Sequence, residues 1–260
     1  MELLLHLFGG YIGIGILFFF VALVYSSVGF GGGSSYLAIL SLFGLPYTHI
    51  RSIALICNIS VVSGNVMAFK KKGLIDWRQF LPFVIAGIPL SFIGGLWPIK
   101  KQVFFILLGI SLVIAAIFLF FQSNKHIQSP SHGIKKPLLN VLLGGTIGFL
   151  SGLVGIGGGV FLSPILHLMR WDAPRKIAAL SSLFILFNSV SGLAGQWMHP
   201  QFTLPMGEIL GLILAVAAGS AVGRHMSFKH FTPQMIRRVT GILVGFVGLR
   251  ILWDQVLHTL

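Results

Sequence analysis

The sequence is poor in acidic residues and in cysteine. Five of its 260 residues are Asp or Glu, and one, Cys57, is a cysteine. A single cysteine excludes an intrachain disulfide, and the scattered histidines do not have the spacing of a metal site. The sequence shows neither paired carboxylates nor a nucleophile beside a base, so it gives no support to an enzyme. We predict no cofactor and no bound metal.

Charge of either sign is also scarce, whereas long apolar runs are abundant. Charged residues make up 9% of the chain and hydrophobic residues 55%, and the mean hydropathy is +0.94. Soluble domains carry about 25% charged residues, so this composition excludes an ordinary water-soluble fold. The runs are continuous and approach the roughly 20 residues that cross a bilayer as a helix. We therefore predict an all-α, multi-pass protein of a bacterial cytoplasmic membrane.

The few charged residues are mostly basic, and the formal net charge is +13. On a soluble protein this balance would indicate a nucleic-acid partner. Here Lys and Arg lie in short loops between apolar segments, where they set the orientation in the membrane. We expect the lipid bilayer as a partner and no nucleic acid.

The apolar segments divide into two halves with one pattern, a segment broken by glycines followed by three ordinary spans. They cover 11–28, 34–45, 50–69, 79–98 and 102–121, and then 138–154, 158–169, 177–198, 205–223 and 236–253. The stretch 122–137 between the halves is polar and basic. We predict a first transmembrane repeat at 1–121, a cytoplasmic linker at 122–137 and a second repeat at 138–260.

The two halves also share a glycine motif. VGFGGG at 28–33 recurs as VGIGGG at 154–159, 126 positions later, and VSG at 62–64 recurs at 190–192, 128 positions later. The same letters at the same place in two matching hydropathy patterns indicate a duplication.

The loop charges indicate that the two halves have opposite orientations. The loop 70–78 is rich in Lys, while its second-half equivalent at 199–203 has no Lys or Arg. The basic loops of the second half, 170–176 and 224–238, have less basic first-half counterparts. Under the positive-inside rule this switch predicts inverted repeats, with loop 70–78, the linker and both second-half basic loops in the cytoplasm. Lys100 and Lys101 then lie outside, which does not fit the rule.

The glycine motifs predict interrupted helices that bind an anion. Unwound backbone within a membrane is tolerated only where protein or a water-filled cavity satisfies it. A helix that restarts after a break directs free N–H groups and a positive dipole end at the gap. Glycines that only permit tight helix packing are the alternative. The substrate-binding candidates here are Gly31, Gly32, Gly33, Ser34 and Ser35, and Gly157, Gly158 and Gly159.

Polar side chains inside the spans supply further candidates, because such groups usually face the interior of a helical bundle. Hydrogen bonding between helices is the alternative for each of them. Arg51 and Glu208 lie at segment starts, and neither lies deep enough in the membrane to be a convincing proton carrier. Glu208 is the better candidate of the two. The polar residues within the spans are Asn58, Ser60, Ser63, Asn65, Ser181, Ser182, Asn188, Ser189, Ser191 and Gln196. Those that we predict to bind substrate are Asn58, Ser181, Ser182 and Asn188.

The arm 34–45 is too short to cross the membrane alone. Its 12 residues extend about 18 Å as a helix, whereas the hydrocarbon layer is about 30 Å thick. Each broken segment is thus either a re-entrant hairpin or a full span with a short tilted helix. The sequence does not decide between eight and ten membrane crossings.

At these residues the sequence resembles the sulfite exporter TauE/SafE family. The resemblance is carried by the paired glycine motifs, the Ser-rich span 178–195, the two-half layout and the length. Pro164, five residues after Gly159, also fits, whereas the first half has Ala38 at the aligned position. The resemblance implies a multi-pass membrane protein that moves small anions, often sulfite or organosulfonates, without a cofactor.

The leading hypothesis is a secondary transporter that exports a small anion such as sulfite or an organosulfonate by alternating access between two inverted halves. An anion channel of the same architecture and a non-transporting accessory subunit are the alternatives. Coupling to protons or sodium, and the oligomeric state, are left open by the sequence.

Overall fold

The computed structural model describes residues 11–121, 137–169, 171–199, 202, 204, 206–225 and 233–257. Within these residues it contains α-helices and no strand, which confirms the all-α prediction. The described residues form ten helices: α1 (Tyr11–Ser27), α2 (Gly33–Leu42), α3 (Tyr47–Lys71), α4 (Trp77–Leu96), α5 (Lys101–Phe121), α6 (Pro137–Val154), α7 (Gly159–Leu168), α8 (Pro174–Trp197), α9 (Met206–His225) and α10 (Pro233–Leu257).

The helices follow the predicted apolar segments to within four residues. Local chemistry sets several starts: the Asp76 carboxylate accepts from the N–H groups of Arg78 and Gln79, at 3.0 and 3.3 Å, and so caps α4. Pro174 begins α8, where its missing N–H costs nothing. Five helices of the described part of the chain, α3 to α6 and α8, are long and apolar enough to cross a membrane. The predicted linker lies outside the described residues except for Pro137.

Both glycine motifs interrupt helices. Helix α1 ends at Ser27 and α2 restarts after Gly32, while α6 ends at Val154 and α7 restarts after Gly158. The restarts are 126 positions apart, as the repeat requires. The turns need glycine, since Gly29, Gly155, Gly157 and Gly158 have φ between 81° and 87°. The predicted breaks are confirmed.

Helices of one half pack mainly on helices of the other. Helix α4 packs on α6, α1 on α9, α5 on α10 and α8 on both α3 and α4. Glycine stripes permit the closest approaches: a Cβ on Gly144, Gly148 or Gly152 of α6 would meet α4 backbone. Gly219 and Gly223 of α9 lie equally close to α1 backbone. These glycines, which lie outside the two motifs, permit tight helix packing.

We expect Gly148→Val to destabilise the fold, because its side chain would collide with the Gly87 carbonyl of α4. Overpacking of this kind costs about 1–3 kcal/mol, so the melting temperature of the protein in detergent should fall by several degrees. Gly211→Val is the matched control, since nothing lies within 4 Å of a Cβ at that α9 position. Equal melting temperatures for the two variants would contradict this packing.

Helices α3 and α8, which are equivalent in the two halves, run antiparallel. The Ser52 hydroxyl, near the start of α3, lies 3.1 Å from the Gln196 side-chain oxygen, near the end of α8. At the opposite end, Phe69 of α3 and Ala178 of α8 both lie against Gly29. Loop 74–76 lies there beside 171–176, so two loops predicted to be cytoplasmic share one end of the bundle. The inverted repeat stays a prediction that this arrangement supports.

Each broken segment consists of a long helix followed by a short one. Helices α6 and α7 have 18 and 10 residues, or about 27 and 15 Å. Gly144 of α6 packs on Phe83 of α4, and the Trp171 ring, after α7, lies 6.1 Å from the same Phe83 ring. Helix α7 therefore turns back towards the end of the bundle at which α6 begins.

Candidate functional site

The two breaks meet at Asn58 in the middle of α3. Asn58 lies 11 residues after Tyr47 and 13 before Lys71, which corresponds to about 16 and 20 Å of helix. Its Nδ2 donates to the carbonyl oxygen of Ile156 in the second break, at 2.9 Å. On the side of the first break, a Cβ on Gly31 would lie 2.6 Å from Asn58 Oδ1. Two motifs 126 positions apart thus come together at mid-depth.

The backbones of the two breaks are in direct contact. A Cβ on Gly33 would collide with both the Asn58 amide nitrogen and the Ile156 carbonyl oxygen. A Cβ on Gly157 would lie 2.6 Å from Asn58 Nδ2 and 2.9 Å from Ser189 Oγ. Glycine is required here because the chains leave no room for any side chain.

Two helices begin at this junction without a side-chain cap. Gly32 precedes α2 and Gly158 precedes α7, and neither can supply a capping oxygen. The first N–H groups of a helix have no partner within it, and they form the positive end of its dipole. The predicted candidates Gly33, Ser34 and Ser35, and Gly159, occupy these first turns and are buried.

Buried polar atoms without a partner lie on the helices that adjoin the breaks or pack on them. Asn58 is 1% exposed, and its Oδ1 has no hydrogen-bond partner. The same is true of four hydroxyls and of Asn188 Oδ1, all on side chains that are fully buried. Such an atom costs about 1–3 kcal/mol when it remains unsatisfied, and an ordered water or a ligand is its usual explanation. The hydroxyls are those of Tyr36, Ser151, Ser181 and Ser189.

Some predicted side chains hold the backbone instead. The Ser182 hydroxyl donates to the carbonyl oxygen of Gly29 and so fixes the first break. Asn188 Nδ2 donates to Phe184 O at 2.9 Å within α8, and the Phe184 ring packs against Gly158. The Ser35 hydroxyl shares a 3.0 Å hydrogen bond with Tyr25. Of the predicted span residues, Asn58, Ser181 and Asn188 retain unused polar atoms.

Two residues at the site were not among the predicted ones: Tyr36 contacts Gly32, and Ser151 contacts Gly158. Helical spacing could have indicated both, because Tyr36 follows Gly32 by four positions and Ser151 precedes Gly155 by four. Ser189, one of the polar residues noted in the spans, contacts Gly157.

Positive charge flanks the junction on both sides along α3. Arg51 is 6% exposed and lies seven residues before Asn58, about 10 Å. Arg224 packs against Gly64, about 9 Å beyond Asn58, and donates to Ser220 Oγ at 2.5 Å. The acidic side chains within the described residues lie in loops or near a helix end, at Asp76, Asp172 and Asp254. The side chain of Glu208 lies outside them.

Comparison with known proteins identifies the family. The family model described as Sulfite exporter TauE/SafE matches residues 14–251. The chain is 33% identical to the "Probable membrane transporter protein y4hK" of Sinorhizobium fredii, over 93% of this chain and 98% of that protein. It is 26% identical to the "Probable membrane transporter protein MJ0441" of Methanocaldococcus jannaschii, over 89% and 91%. No solved structure matches.

A plant relative carries the family name itself. The chain is 25% identical to the "Sulfite exporter TauE/SafE family protein 5" of Arabidopsis thaliana, over 74% of this chain and 50% of that protein. These relatives are named as transporters and not as enzymes, which confirms the prediction of a multi-pass membrane transporter. The chain therefore belongs to the sulfite exporter TauE/SafE family of membrane transporters.

Proposed function

We propose that this transporter exports a small oxyanion, such as sulfite or an organosulfonate, through a site between its two glycine breaks. One observation carries the proposal: two uncapped helix starts meet at mid-depth around Asn58, among buried hydroxyls that have no partner. The names of the family and of its plant relative also point to sulfite as a substrate.

The groups at the junction suit an anion better than a cation. Backbone N–H groups at two helix starts and the hydroxyls of Ser181 and Ser189 can all donate. Partial charges from dipoles bind an anion without burying a full positive charge, which would be costly within lipid. Two unpartnered amide oxygens, on Asn58 and Asn188, can accept from water or from the hydroxyl of a singly protonated oxyanion.

We propose alternating access as the mechanism. The first break extends towards one end of the bundle, where Gly29 lies against Phe69, and the second towards the other end, where Gly155 lies against Arg51. Because Gly33 touches Ile156 between them, the two backbones must separate for a solute to enter. Rocking of one half against the other would uncover the junction from one membrane face at a time.

Transport by purified protein in lipid vesicles tests the proposal. We expect saturable flux of sulfite or an organosulfonate from a panel that also contains sulfate, thiosulfate and carboxylates. Dependence on an imposed proton or sodium gradient would support a carrier. A large ohmic current would instead support an anion channel, and no flux of any tested anion would support an accessory subunit.

Ser181→Ala should weaken substrate binding without weakening the fold. The Ser181 hydroxyl has no partner in the structure, so its removal breaks no existing hydrogen bond. A lost bond to a charged ligand is worth about 1.5–3 kcal/mol, which is a rise in KM of roughly tenfold or more. Ser111→Ala is the control, because Ser111 is similarly buried but lies on α5. An unchanged KM for Ser181→Ala would remove this hydroxyl from the site.

A further inference from the structure

A second polar cleft lies at the end of the bundle where α3 begins, and we call it the Arg51 cleft. It is small, with about 20 Å³ of space for the centres of water-sized molecules, and it is partly open to the surroundings. Its polar wall is formed by Thr48, Arg51, Ser52, Gln196 and His199, and its aromatic wall by Tyr47, Trp97 and Phe202. This end of the bundle is opposite the one that gathers loops 74–76 and 171–176.

The charge of Arg51 is only weakly compensated. Its Nη2 donates to the carbonyl oxygens of Gly152, Gly95 and Gly94 at 3.1, 3.3 and 3.4 Å. These carbonyls belong to the last turns of α6 and α4, whose dipoles favour a cation. The distances exceed the 2.7–2.9 Å or so of a strong charge-assisted bond, and no carboxylate within the described segments pairs with Arg51. A buried cation in this state is costly, and a bound anion would lower that cost.

Two donors of the cleft have no partner. Arg51 Nε and Gln196 Nε2 are buried without any hydrogen bond, on side chains that are 6% and 5% exposed. The Ser52 hydroxyl lies 3.1 Å from Gln196 Oε1 and 3.0 Å from the carbonyl oxygen of Thr48, and it has one proton to donate to either of them. An oxyanion has the acceptor oxygens that both donors lack.

We propose that the Arg51 cleft is a second anion-binding site, which takes a small oxyanion carrying an apolar group. The guanidinium of Arg51 and the amide of Gln196 would hold the oxygens, and the aromatic wall would cover the apolar group. Seven residues of α3, or about 10 Å, separate Arg51 from Asn58 at the junction of the breaks. The cleft would also bind the transported substrate before it reaches the junction. That role rests on the proposed function, whereas anion binding at Arg51 does not.

Binding measured without transport isolates the cleft. The probe is ethanesulfonate, titrated calorimetrically into detergent-purified Gly158→Val protein, in which the junction of the breaks is obstructed. We expect one binding event to remain. Adding Gln196→Glu should weaken it at least tenfold, because the new carboxylate places negative charge in the cleft that Arg51 lines. This change is preferred to Arg51→Gln, which would also release three backbone carbonyls.

The matched control is Gln79→Glu, the same change in the cleft at the opposite end, which Gln79 lines together with Lys176. It should leave ethanesulfonate binding unchanged. If Gly158→Val protein does not stay folded, Asn58→Asp provides the second background. The proposal is overturned if both backgrounds are folded and bind no ethanesulfonate, or if Gln196→Glu binds it as tightly as its parent.

Transport data separate the two proposals. If the wild-type protein moves no anion but the Gln196-sensitive binding is present, the proposed function fails and the cleft stands. If transport is normal and insensitive to Gln196→Glu at all substrate concentrations, while cleft binding is absent, the cleft proposal alone fails.

Discussion

Gly158→Val is expected to abolish transport while the protein still inserts into the membrane. Gly158 has a φ of +81°, and a Cβ there would lie 2.9 Å from the Phe184 ring and 3.1 Å from Ile147. A β-branched residue tolerates such a backbone poorly, so the start of α7 must shift. The N–H groups that we assign to the substrate would shift with it, and flux in vesicles should fall to background.

Gly73→Val is the control for this variant. Gly73 also has a positive φ, +64°, but nothing lies within 4 Å of a Cβ at that position. It therefore carries comparable backbone strain in a loop, away from the junction. Gly73→Val should insert and transport normally. Normal flux in Gly158→Val, at equal amounts of inserted protein, would rule out the second break as part of the substrate site.

Asn58→Asp should also lose transport, through charge and not through shape. The carboxylate cannot donate to the Ile156 carbonyl, which receives a 2.9 Å bond from Asn58 Nδ2 in the native protein. It also places a negative charge at the helix starts that we assign to the anion, where it competes with the substrate. We expect flux to fall at least 100-fold, since one unfavourable charge contact within a low-dielectric site readily exceeds 2.8 kcal/mol.

Asn140→Asp is the matched control, because Asn140 is 4% exposed and lies near the start of α6, away from the breaks. It reports the cost of burying a carboxylate anywhere in this bundle. Similar losses of flux in both variants, measured per folded molecule, would show that Asn58 has no special place in transport.

Both helix breaks could be predicted from the sequence, because the signal is local. Three consecutive glycines remove the side chains that favour a helix, and the chain restarts at Gly33 and Gly159 as the repeat predicts. Asn58 and Ser181 could be identified as candidates since polar groups are rare within spans. Their neighbours could not, because the contact of Asn58 with Ile156 joins positions 98 apart.

The cleft around Arg51 shows where prediction from sequence ends. At the start of a span, Arg51 has the pattern of an ordinary interfacial cation. Its burial becomes visible only when the ends of α4 and α6 place three carbonyls around it. Ser182 is the converse case: it was predicted to bind substrate, and its hydroxyl is used by the Gly29 carbonyl. Only the packing of the helices shows whether such a polar side chain holds the backbone or is free to bind a ligand.

The packing of first-half helices on second-half helices has a consequence for biosynthesis. Helices α1 and α4 receive their closest neighbours, α9 and α6, from residues that the ribosome has not yet made when the first half enters the membrane. Until then the faces that pack on Gly148 and Gly219 are exposed to lipid. Maturation of the first half therefore has to wait for the second, and a polypeptide released at the linker would be a substrate for membrane quality-control proteases.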